Sequence, residues 1–76
     1  MSERQLGCSV SKGMFSDERA VTYRDVSVFV PREKVHEQNG HSSVDVKIFQ
    51  AGKSLFAVLP SEDARIVPIE DRDLKG

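Results

Sequence analysis

The feature that most constrains this chain is a period of two. Between Val21 and Ile69 the apolar residues recur at alternate positions, and no long stripe with helical spacing occurs. Val26, Val28 and Val30 share one side of an extended segment, with Ser27 and Phe29 on the other. Val44, Val46 and Ile48 repeat the pattern against Ser43, Asp45, Lys47 and Phe49. In SLFAVLP both sides are apolar, with Leu55, Ala57 and Leu59 against Phe56 and Val58, as befits a strand inside a sheet. β-Branched and aromatic side chains pack well on such pleated surfaces. The expectation is an all-β or mainly β domain of about five strands.

Punctuation between these runs sets their connections. Arg24-Asp25 permits a tight reversal after RAVTY, where Val21 and Tyr23 lie two residues apart. Pro31 lacks an amide donor and ends the next strand. One helical turn is expected near Pro31–Lys34, then a short extended segment into an Asn39-Gly40 hairpin turn. Residues 50–53 form a compact loop, and residues 61–64 a turn. Pro68 within RIVPIE places that strand at a sheet edge, where the missing donor faces solvent. Without helices to cover its inner face, such a sheet must curl around its own side chains. A small SH3-like barrel or a strongly bent antiparallel sheet satisfies that need.

The chain has 76 residues and is 38% hydrophobic, which allows one domain with a thin core. A partner subunit is one way to complete such a core. Residues 1–12 carry only isolated apolar positions and read as a flexible arm. The compact domain is assigned to residues 13–70, and residues 71–76 form a charged, exposed tail.

Eleven Lys and Arg against twelve Asp and Glu give a net charge of -1, which is not the charge pattern of a nucleic-acid binder. Cys8 is the sole cysteine, so an intramolecular disulfide scaffold is excluded. No 18-residue apolar run exists, and residues 1–7 lack a hydrophobic signal segment. A cytoplasmic location with no membrane partner is the corresponding expectation.

No catalytic residue, cofactor or metal is expected. His36 and His41 flank Asn39-Gly40 near Glu37 and Asp45, with Cys8 as a more distant ligand type, but zinc needs three or four converging ligands. The carboxylate pairs Asp17-Glu18, Glu62-Asp63 and Glu70-Asp71 are sequence neighbours, which supplies no opposed acid and base. Cys8 has no base or orienting carboxylate beside it, and His41 next to Ser42-Ser43 does not establish a triad. Gly52-Lys53-Ser54 matches the end of a phosphate loop, but Lys47 stands where the first glycine belongs and a strand follows.

The aromatic residues carry the remaining signal. Phe29, Phe49 and Phe56 all lie opposite the main apolar rows of their strands, so they form either a second covered cluster or a recognition surface. Met14, Phe15 or the C-terminal strand would be the cover. The leading expectation is a non-catalytic protein-binding or assembly module, using Phe29, Phe49 and Phe56 with Arg32 and Lys47 at the rim. Its partner is another protein or a second copy in a homodimer. The alternative is a small β-barrel that binds RNA or single-stranded nucleic acid. There Arg19, Arg24, Arg32, Lys34, Lys47 and Lys53 would line a groove, with Tyr23, Phe29 or Phe49 stacking on bases. An enzyme would draw on residues 31–42, where Arg32, Glu33, His36, Glu37 and His41 are concentrated.

Overall fold

The structure, a computed structural model, describes residues 2–75. Among the described residues nine strands form where about five were expected: β1 (Ser2–Gly7), β2 (Ser9–Lys12), β3 (Glu18–Tyr23), β4 (Val26–Pro31), β5 (Val35–Gln38), β6 (His41–Ala51), β7 (Ser54–Val58), β8 (Ile66–Ile69) and β9 (Leu74–Lys75). The helical content is two single 3-10 turns, Arg32–Lys34 and Asp71–Asp73. No helix among the described residues is long and apolar enough to cross a membrane.

The strands form two antiparallel sheets rather than one. The larger runs β8-β7-β6-β1-β9, and β5 pairs with the first part of β6 on the edge that β7 occupies further along. The smaller is β2-β3-β4. Neither sheet closes on itself, so the curling needed to bury an inner face is achieved by folding one open sheet over another. β1 and β2 are nearly one strand. They are interrupted only at Cys8, whose N–H donates to the Ser42 carbonyl at 3.1 Å, and there the chain passes from one sheet to the other.

Local turn chemistry agrees with the sequence. Asn39 and Gly40 take positive φ angles of 53° and 80°, the backbone of a two-residue hairpin whose twist suits the flanking strands. Arg24 at φ 57° begins the β3–β4 reversal. Pro68 lies in β8 at the end of the sheet, while β7 is flanked by β6 and β8.

The core is assembled from the inward rows of both sheets. Val21, Tyr23 and Val30 from the smaller sheet meet Leu6, Val44, Val46, Ala57, Val67 and Ile69 from the larger, with Leu59 just beyond β7. Val26, Val28, Ile48 and Leu55 pack against this cluster while partly buried.

Two terminal segments differ from their sequence reading. Residues 1–12 were expected as an arm; Met1 lies outside the described residues, and in the rest β1 lies between β6 and β9 and Leu6 is 0% exposed. Leu6 aligns with Val44 on one side and Leu74 on the other, so neighbours distant in sequence repay the ordering of this segment. Of residues 71–76, expected as an exposed tail, Gly76 lies outside the described residues, and the others form a 3-10 turn and the short edge strand β9, with Leu74 packed against the core. The hydroxyl of Tyr23, a core residue, donates to Asp73 Oδ2 at 2.6 Å. Arg24 pairs with Glu70 and, at 3.3 Å, with Asp73, tying the β3–β4 turn to this segment.

Candidate functional site

A strand at the end of a sheet has backbone groups with no strand to bond, and β4 is such a strand. Tyr23 and Val26 flank a two-residue turn, so they form a hydrogen-bonded pair; alternation along the ladder then bonds Val28 and Val30 to β3. The N–H and C=O groups of Ser27 and Phe29 therefore point away from β3, while the Pro31 carbonyl begins the 3-10 turn that follows. Among the described residues no further strand meets them. Pro31, having no N–H, ends the row of donors.

An open groove of about 910 Å³ runs beside this edge. Its near wall is β4 from Ser27 to Pro31, and its far wall is the β7–β8 connection, Pro60–Asp63 and Arg65. Phe29, 49% exposed on the outer side of β4, and Phe15, 68% exposed on the β2–β3 loop, supply aromatic surface.

Both walls are held by local bonds. Glu18 Oε2 accepts the N–H groups of Met14 and Phe15 at 2.9 and 3.3 Å, which shapes the loop carrying Phe15. A Cβ on Gly13 would lie 2.8 Å from the Glu18 carbonyl oxygen, so glycine is needed for this close return. The Arg32 N–H donates to the Asp17 carbonyl at 2.8 Å, joining the loop to the end of β4. Opposite, the Ser61 hydroxyl donates to Asp63 Oδ1 at 2.7 Å and accepts the Arg65 N–H at 3.2 Å. The Leu59 N–H donates to the Arg65 carbonyl at 2.8 Å and closes the loop at its base.

The groove is acidic. Asp17, Glu18, Glu62 and Asp63 line it against the single cation Arg65. None of these four carboxylates makes an ion pair among the described residues, where the ion pairs involve Arg24, His36 and Arg72.

The three phenylalanines singled out from the sequence do not form one patch. Phe49 and Phe56 are direct cross-strand neighbours on the outer face of the larger sheet, stacked with centroids 5.4 Å apart and partly buried. Pro68 continues their row, so β8 lies beside the pair. Phe29 belongs to the smaller sheet, and Met14 and Phe15 are themselves exposed instead of forming a cover. Lys47 is exposed on the same outer face as Phe49, while Arg32 lies next to Asp17 and Glu33 at the end of β4.

The basic residues considered for nucleic acid are also dispersed. Arg24 is paired with Glu70 and Asp73, and Arg19 donates to the Ser16 and Glu18 carbonyls. Lys53 stands at the β6–β7 turn. Tyr23 is in the core and cannot stack on a base.

A serine–histidine–aspartate grouping lies on the larger sheet. His36 is paired in register with Ser43, and its Nε2 is 2.9 Å from Asp45 Oδ1. The buried Ser43 hydroxyl donates to Gln5 Oε1 at 3.1 Å instead of to the imidazole, so it is not an activated nucleophile. No group of three His, Cys, Asp or Glu side chains among the described residues converges to hold a metal ion. Burial pushes the Cys8 thiol up to about 11, with Lys75 acting weakly in the opposite direction, so little thiolate exists at neutral pH.

Sequence reasoning reached Phe29 and the end of β4 at Pro31. It took Phe15 for a cover and Asp17-Glu18 and Glu62-Asp63 for unopposed pairs, and it missed Pro60, because no local signal says that residues 60–65 return alongside residues 27–31.

Fold and site together define a small two-sheet β domain with an open, acid-flanked sheet edge. Compared with protein-family models, curated proteins and solved structures, the chain matches none.

Proposed function

We propose that this chain is a non-catalytic protein-binding or assembly module whose working surface is the β4 edge and its aromatic groove. The observation that carries the reading is the coincidence of outward backbone groups on Ser27 and Phe29 with exposed aromatic surface in one groove. Edge strands take up extended segments through main-chain hydrogen bonds, while neighbouring pockets select side chains. Phe29 is the anchor carried over from the sequence reading, and Phe15 joins it. Arg32 lies at the rim; Lys47, Phe49 and Phe56 occupy a separate face and are assigned no part in this groove. The unpaired thiol of Cys8 suits a reducing, cytoplasmic setting. The nucleic-acid alternative loses support from the acidic groove and from the dispersal of the basic side chains.

Selection from a displayed library of random extended peptides tests the proposal. Selected peptides are expected to lose at least about tenfold in affinity with Phe29→Ser and to be unaffected by Phe56→Ser on the other sheet. Enriched peptides indifferent to Phe29→Ser would remove the groove from consideration. Tight, salt-sensitive binding of a short RNA at about 20 mM salt would favour the alternative.

A further inference from the structure

We infer that the occupant of the β4 groove is a short cationic strand in which Lys or Arg alternates with apolar residues; this rests on the groove being the binding surface. Three features of the site converge on that chemistry. The outward groups lie on Ser27 and Phe29, and Pro31 ends the donor row, so the ladder accommodates a segment of roughly five residues. Side chains of an added strand project alternately to its two sides, and apolar positions on one side pack beside Phe29 on the outer side of β4. Cations at the intervening positions meet Asp17, Glu62 and Asp63, all exposed and without an ion pair among the described residues.

The same charges argue against the other occupants. A second copy adding its own β4 would bring two acidic walls together, and a nucleic acid would set phosphates against them. A cationic strand alone gains from both backbone pairing and charge.

The test uses the whole chain and acetyl-Lys-Val-Lys-Val-Lys-Val-amide, its Glu-for-Lys counterpart, a form of the Lys peptide N-methylated at every amide, and oligouridine. Amide hydrogen exchange of Ser27 and Phe29 is followed by NMR, and affinity is measured at 50 and 500 mM salt (roughly low and high screening). The Lys peptide is expected to slow exchange of both amides and to bind at least about tenfold more tightly than the Glu peptide at low salt. The preference should shrink in high salt and in the double variant Glu62→Gln, Asp63→Asn. The N-methylated peptide should not bind.

Equal affinity of Lys and Glu peptides, with protection of both amides, would refute the cationic preference and leave the groove reading standing. Undiminished binding of the N-methylated form would refute strand addition. Failure of the Lys peptide to protect Ser27 and Phe29 would overturn the inference, whereas the library selection decides the groove reading separately. Protection by oligouridine, or a dimer broken by Ser27→Pro, would assign the edge to a different occupant.

Discussion

Replacing Leu6 by Ala tests the most consequential packing contact in the molecule. Leu6 is 0% exposed, lies in β1 between Val44 and Leu74, and belongs to a core of ten buried apolar residues among those described. The substitution removes three carbons. At about 0.8 kcal/mol per buried methylene the transfer loss is about 2.4 kcal/mol. Incomplete collapse around the space left behind raises the cost to about 3–4 kcal/mol, within the usual range for Leu to Ala. A chain of this length has a total stability of only about 4–11 kcal/mol. The midpoint of thermal unfolding should therefore fall by roughly 12–30 °C, if the variant folds at all. Urea unfolding followed by far-ultraviolet circular dichroism and by emission from Tyr23 provides the measurement. Glu3→Ala, an exposed position on the same strand, is the control and should stay within about 0.5 kcal/mol of the parent. If Leu6→Ala also costs less than about 1 kcal/mol, with the slope of unfolding unchanged, β1 is not part of the cooperative core and the packing argument fails.

Two further outcomes follow from the titrating groups. With its thiol pushed up to about 11, Cys8 should react with iodoacetamide at pH 8 on the order of 100-fold more slowly than a free thiol of ordinary acidity, and at the ordinary rate once urea has unfolded the chain. A rapid reaction under native conditions would show that the thiol is neither desolvated nor shielded. The hydrogen bond from Arg24 holds Glu70 below its usual range, and the hydrogen bond from Tyr23 does the same for Asp73. Their contribution to stability is therefore present above the ordinary carboxylate values and is lost as pH falls through the lowered values, below about pH 4. Denaturation curves from pH 6 to pH 2 should show this loss, and the double variant Glu70→Gln, Asp73→Asn should flatten that acid limb. An unchanged acid limb would mean that the clamp between the β3–β4 turn and the C-terminal segment contributes nothing in solution.

The groove and the core were unequally legible before the fold was known. Val44 with Val46, and Leu55 with Ala57, announced their inward rows because alternation is a property of a single strand. Asn39-Gly40 and Arg24-Asp25 announced reversals because turn geometry depends on adjacent residues. Leu6 carried no such signal: one leucine between Gln5 and Gly7 has no period, and its burial comes from strands some forty and seventy residues away. Phe29, Phe49 and Phe56 looked equivalent because each sits opposite its strand's apolar row. Only the division into two sheets separates the stacked Phe49–Phe56 pair from Phe29 at an open edge.

By itself, then, the order of residues determined that this chain is β, where most of its hairpins turn and which side chains share a face. The tertiary structure decided that the strands divide into two open sheets, that Leu6 enters the core and Leu74 packs against it, and that an acidic loop lies across from β4. The physical reason is range. Pleat and turn preferences act between neighbours in the chain, whereas sheet membership and the exposure of an edge depend on which distant strands win the competition to pair.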